Sequence, residues 1–151
     1  MLNWDVVWRR VSQLPDWRGY SQADFRYVGI GRQFSINASV LNTTATVDFP
    51  VGSIILDIGG GVSVAAVATA EIRSLNSIRL GLDYSGQLGS IISGGKMNGA
   101  ALFGPYGDRQ FPGKELLIPK GDTITVGVDN LTTSNITFDI VFHSMIPRVQ
   151  Q

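Results

Sequence analysis

The stretch Ile118-Pro119-Lys120-Gly121-Asp122-Thr123-Ile124 decides the fold of this chain, because it turns sharply and then launches a strict alternation. Ile124, Val126 and Val128 point one way and Thr123, Thr125 and Asp129 the other, the period of two that a half-buried β-strand imposes. Leu131-Thr132-Thr133-Ser134-Asn135 reads as a polar turn, after which Ile136, Phe138, Ile140 and Phe142 alternate in the same manner. Together the two runs predict a hairpin with one buried face.

An echo of this corner, Phe49-Pro50-Val51-Gly52-Ser53-Ile54-Ile55, lies 69 positions earlier. Pro50 and Gly52 suit positions i+1 and i+3 of a type I turn, since proline presets φ and glycine relieves the exit. Before it, Phe34, Ile36, Ala38 and Val40 alternate, and Ala45, Val47 and Phe49 resume the pattern after Asn42-Thr43-Thr44. After it, Ile54, Leu56 and Ile58 are expected on one face, with Gly59-Gly60-Gly61 stopping the strand. Residues 62–73 fit both a strand and a helix, the strand being favoured. Ile78, Leu80, Leu82 and Tyr84 alternate cleanly. Residues 85–107 hold seven glycines, yet Ile91, Ile92, Met97, Leu102 and Phe103 make them too apolar for a linker, so one or two irregular strands and a long loop are expected. The reading is an all-β fold: an antiparallel β-sandwich or jelly roll of about eight strands over residues 33–151, preceded by a short helical arm over residues 1–32.

The arm carries the one helical pattern. Trp4, Val7, Trp8, Val11 and Leu14 recur at helical spacing over residues 4–14, Asn3 can cap the helix and Pro15 ends it. A helix this short does not stand alone in water, so it needs a surface, either its own sandwich or a neighbouring chain. All three tryptophans fall in the first 17 residues, interleaved with arginines, and Trp, Tyr and Arg are the types that dominate interface hot spots. Because the β pattern is complete without the arm, Trp4, Val7, Trp8, Arg9, Arg10, Val11, Trp17 and Tyr20 are expected to form a partner interface.

Twelve basic residues balance twelve acidic ones, so no overall field draws the chain to nucleic acid or an anionic membrane. Without cysteine there is neither a disulfide nor a thiolate metal site. No run approaches the roughly 20 apolar residues of a membrane span, and the N-terminus lacks the pattern of a signal peptide, so synthesis in a cytoplasm is expected. The sequons at Asn37, Asn42, Asn130 and Asn135 are then read as Asn- and Thr-rich strand ends.

Residues that could do chemistry are sparse. His143 is the single histidine, and Ser144 beside it must point to the opposite face of a strand, so no triad or metal cluster is expected around it. Most of the ten aspartates sit at turns or outward strand positions, where solvation and turn capping account for them. Gly59-Gly60-Gly61 and Gly94-Gly95-Lys96 match no phosphate-loop motif. No catalytic residue, cofactor or metal is assigned. Tyr84 and Tyr106 are the residues a glycan-binding alternative would use.

From Arg109-Gln110-Phe111-Pro112 through Leu116-Leu117-Ile118-Pro119-Lys120-Gly121-Asp122-Thr123-Ile124, Val126-Gly127-Val128-Asp129-Asn130-Leu131 and Ile140-Val141-Phe142-His143, the pattern resembles small β-sandwich virion proteins of tailed bacteriophages, of the capsid decoration or cement type. The resemblance covers residues 33–146 in pattern and rests mainly on 109–146. It implies a non-enzymatic, jelly-roll-like subunit of the virion, often trimeric, that clamps neighbouring major capsid subunits. A tail or connector position and a glycan-binding module are the alternatives.

Overall fold

The computed structural model describes residues 4–13, 17–18, 20–49, 52–63, 75–85, 95–104 and 116–148. The chain order is α1 (Trp4–Val11), β1 (Phe25–Ile36), β2 (Thr43–Asp48), β3 (Ser53–Ser63), β4 (Ile78–Tyr84), β5 (Met97–Asn98), α2 (Gly99–Phe103), β6 (Leu116–Ile118), β7 (Thr123–Asn130) and β8 (Ile136–Pro147). Two antiparallel four-stranded sheets result, ordered β1-β8-β3-β6 and β2-β7-β4-β5. The pairs nest: β1 with β8, β2 with β7, β3 with β6 and β4 with β5. Phe34, Ile55, Ile58, Phe138, Ile140 and Phe142 from the first sheet meet Val47, Ile78, Leu80, Leu82, Ile124, Val126 and Val128 from the second in one buried core.

The alternation read around Pro119 is present on both β7 and β8, but the two strands are not a hairpin. They belong to different sheets, and the chain crosses the sandwich between them. Asn130 makes the crossing. Wholly buried at the end of β7, it donates through Nδ2 to the carbonyls of Ile36, Asn37 and Ser134 and accepts through Oδ1 from Thr132 N. Its amide is thus spent on backbone at the end of β1 and in the two connections beyond the strands. The β1–β2 connection crosses at the same end and is laced to it, Ser39 N donating to Thr132 O and Asn130 N to Val40 O.

Three further details differ from the sequence reading. Ile54, Leu56 and Ile58 do not share a face, because a bulge between Ile55 and Asp57 resets the register, sending Ile55 and Ile58 into the core and Ile54 to the opposite face. Gly59-Gly60-Gly61 does not end β3, which continues to Ser63. Gly60 is there for room: a Cβ on it would lie 2.8 Å from Phe103 and 3.2 Å from Phe138. Within the glycine-rich stretch, the described part holds a two-residue strand and the short helix α2, capped by the Asn98 side chain accepting from Ala100 N. Residues 64–73 of the ambiguous run lie outside the described residues.

The first strand begins at Phe25, inside the stretch assigned to the arm, so the sandwich takes in residues counted as leader. The arm itself folds back. Val7, Val11 and Trp17 are buried with Phe25 and Ile54 in a second apolar cluster, with Trp8, Tyr20, Leu56, Leu117 and Met145 packed around it. Ile54, Leu117 and Met145 occupy paired positions across β3, β6 and β8, on the face turned away from the main core. Phe25 is the hub, its ring centroid 5.1 Å from Trp8, 5.7 Å from Tyr20 and 6.4 Å from Trp17. The expected arm surface is therefore the outer face of its own first sheet.

Candidate functional site

A concavity of about 230 Å³ lies on the outer face of the second sheet, lined by Asn42, Thr44, Gly81, Asp83, Gly95, Lys96, Thr125 and Gly127. Gly81 on β4 and Gly127 on β7 stand directly opposite each other. They leave a channel in which the Lys96 stem lies: a Cβ on Gly81 would be 3.2 Å from Lys96 Cγ, and one on Gly127 3.6 Å from its Cε. The methylenes cover backbone and the ammonium is delivered across the sheet.

At the far end waits Asp129, 3% exposed on β7. Its Oδ1 accepts from Lys96 Nζ at 2.6 Å and from Asn42 N at 2.8 Å, while Arg79 Nη2 reaches its Oδ2 at 3.1 Å. Lys96 Nζ also donates to Asn42 Oδ1. Asn42 holds a left-handed backbone, φ 59°, which asparagine tolerates better than most residues and which the Asp129 bond to its N–H secures.

Burial alone would push the Asp129 carboxyl up. The Lys96 hydrogen bond, the Asn42 N–H and the charges of Lys96 and Arg79 outweigh it and hold the group below its ordinary 3.8. A carboxyl depressed on folding stabilises above its unfolded value, and that contribution is lost as pH falls through the folded one. Acid titration of unfolding is therefore expected to show a loss of stability below about pH 4. Arg79→Met, which removes one of the charges that hold the carboxyl down, should shrink that loss, and an unchanged acid limb in this variant would disprove the assignment.

A second titrating group, the half-buried Tyr84, sits at the opening corner. Gly121 takes φ 89° at the third position of a turn closed by Asp122 N donating to Pro119 O, and Asp122 then accepts the Tyr84 hydroxyl at 2.5 Å. Burial, this hydrogen bond and the Asp122 charge, in that order, push the Tyr84 phenol well above its ordinary 10.0. Because the folded value exceeds the unfolded one, the contribution is present below about pH 10 and fades as pH rises beyond it. Tyr84→Phe should be less stable than the parent at pH 8 and approach it at pH 11, followed by urea unfolding. The Tyr84 hydroxyl is committed to Asp122 and its ring packs partly against the main core. Tyr106 lies outside the described residues.

On the first sheet's outer face, Tyr27 and His143 stack with centroids 5.9 Å apart and are hydrogen bonded through Oη and Nδ1. Tyr27 is 57% exposed. His143 falls within β8 rather than at its end, and Ser144 is turned into the core, its hydroxyl donating to Phe142 O. Serine and histidine are thus on opposite faces and form no nucleophilic pair. Among the described residues there is also no group of three His, Asp or Glu side chains that could hold a metal.

The residues expected to face a partner divide. Val7, Val11 and Trp17 are buried in the chain's own second cluster, and Trp8 and Tyr20 pack partly against it. Arg9 and Arg10 are exposed on α1. Trp4 opens the helix, but its side chain is outside the described set. The Lys96, Asn42 and Asp129 arrangement was missed by sequence reasoning. Its available signals were Asp129, the one charged residue on the polar side of β7, and the single lysine in the glycine-rich stretch. No protein-family model matches the chain, and no curated protein sequence matches it.

Proposed function

We propose that the chain is a non-enzymatic structural subunit of a tailed-bacteriophage virion, a jelly roll of the capsid decoration or cement type that binds and stabilises the major capsid lattice. The observation that carries this reading is the nested pairing, β1 with β8, β2 with β7, β3 with β6 and β4 with β5. That is the connectivity of the double Greek key used by capsid subunits, and it supports the jelly-roll form of the sandwich.

In this proposal the chain is made in the host cytoplasm, assembles as a homo-oligomer with a trimer favoured, and is retained in the virion. Avidity from several copies supplies binding strength that one small contact lacks. With Val7, Val11 and Trp17 occupied internally, contact with the lattice falls to the exposed Arg9 and Arg10 and the partly open rings of Trp8 and Tyr20. A tail or connector position draws on the same supports.

Cosedimentation of the purified chain with expanded capsids of the phage that encodes it tests the proposal. Saturable binding that is lost in an Arg9→Glu/Arg10→Glu variant of unchanged circular dichroism is the expected result. Absence of the chain from purified virions by mass spectrometry would overturn it. Its presence in tails alone would select the connector or tail position.

A further inference from the structure

Lys96, Asn42 and Asp129 bring together an amine, a carboxamide and a carboxylate. Nζ of Lys96 is hydrogen bonded at once to Oδ1 of Asn42 and, at 2.6 Å, to Oδ1 of Asp129. Such an amine has its electrophile and its proton acceptor already in place, the arrangement that converts a bimolecular condensation into an intramolecular one. Three independent features of the fold serve this contact. The facing glycines Gly81 and Gly127 clear the path for the lysine stem. The left-handed backbone of Asn42 returns its side chain toward Lys96. Asp129, 3% exposed, is held by Arg79 on one oxygen and by Asn42 N–H and Lys96 on the other, so its position is fixed before any reaction.

We infer that Lys96 and Asn42 form an intramolecular amide crosslink, with Asp129 as the catalytic proton shuttle. Asp129 takes a proton from Nζ, and the neutral amine attacks Cγ of Asn42. The new Nζ–Cγ bond forms, the Cγ–Nδ2 bond breaks, and both protons that Nζ gives up are passed by way of Asp129 to the departing nitrogen, which leaves as ammonium. Atoms and charge balance without oxidant, metal or co-reactant. The reaction occurs once per chain, so a slow step suffices.

The bond would tie the residue preceding β5 to the residue preceding β2, passing over β4 and β7 and joining the two edges of the second sheet. An edge strand of two residues, such as β5, gains most from such a strap, because its own ladder contributes little. This inference does not depend on the virion proposal, since the crosslink forms within one chain.

Intact-mass spectrometry of the purified full-length chain tests it. The expected mass is lower than the sequence mass by one ammonia, and a tryptic digest should yield a branched peptide joining the segments around Asn42 and Lys96, with no cleavage after Lys96. Lys96→Arg preserves the positive charge beside Asp129 and should retain the full mass, as should Asn42→Ala and Asp129→Asn. Should Asp129→Asn fail to fold, Lys96→Arg decides the question alone. Full, unbranched mass in the folded parent after days at neutral and mildly alkaline pH would overturn the inference. So would an ammonia loss that persists in Lys96→Arg, because it would place the loss elsewhere.

Discussion

Replacing Asn130 with leucine is expected to lower the thermal midpoint by roughly 10 °C, from a loss of about 4 kcal/mol at about 2–4 °C per kcal/mol for a chain of this size. The loss has an itemised origin. Nδ2 of Asn130 is the donor to Ile36 O, Asn37 O and Ser134 O, at 3.3, 3.0 and 2.8 Å, and Oδ1 accepts from both the N–H and the hydroxyl of Thr132. Leucine leaves these groups without that partner in a place where the side chain itself is fully buried. Each such orphan costs about 1–3 kcal/mol, partly recovered where water reaches the loop. Asn130→Asp should do at least as badly, because it turns an acceptor toward three carbonyls. A midpoint within about 2 °C of the parent for the leucine variant would show that the corner holds itself together without the amide.

Removing the indole of Trp17 is expected to cost about 3–5 kcal/mol, the range for deleting a large aromatic from a filled core. The ring is buried against Val7, Val11, Phe25 and Ile54, and it lies so close over Gly52 that a Cβ there would be 2.5 Å from Cζ2. Gly52→Ala should therefore expel the ring and approach the cost of Trp17→Ala. The two changes should then be far from additive: once Trp17 is alanine, Gly52→Ala should cost little. An arm serving only as an anchor for another chain would leave the midpoint of the isolated protein unmoved in both variants. Differential scanning calorimetry of the four proteins in this cycle separates the two cases.

Alternation on β4, on residues 123–128 of β7 and on residues 136–144 of β8 was readable residue by residue, since there the period of two survives. Pairing was not readable in the same way. Nothing in Leu131-Thr132-Thr133-Ser134-Asn135 distinguishes a turn back along the same sheet from a step across to the other, and the deciding bonds come from Ile36 and Asn37, more than 90 positions away. The second cluster did leave a trace that the one-face reading passed over. Ile54-Ile55, Leu116-Leu117 and Met145-Ile146 are apolar doublets, and where strands carry adjacent apolar residues both faces are covered. Aligned across β3, β6 and β8, they mark where the helix lies. Gly52, assigned to a turn, owes its identity to the tryptophan above it, a contact that no local motif encodes. Lys96, Asn42 and Asp129 are likewise joined only by the sheet order.

The nested pairing has a consequence for biosynthesis. Phe25 is registered with Pro147, so the first strand waits for the last before it gains a neighbour in its sheet. At ribosomal rates of about 5–20 residues per second, that wait is on the order of 6–25 s. Throughout it Phe25, Tyr27 and Phe34 have no partner strand, and the docking surface for α1 is unfinished because Met145 has yet to appear. Pairing of the first strand is accordingly deferred until Pro147 has been made, and pairing over such separations is slow even then. A product truncated before Ile136 loses the strand that lies between β1 and β3, so premature termination leaves no smaller stable remnant, only a substrate for chaperones and proteases.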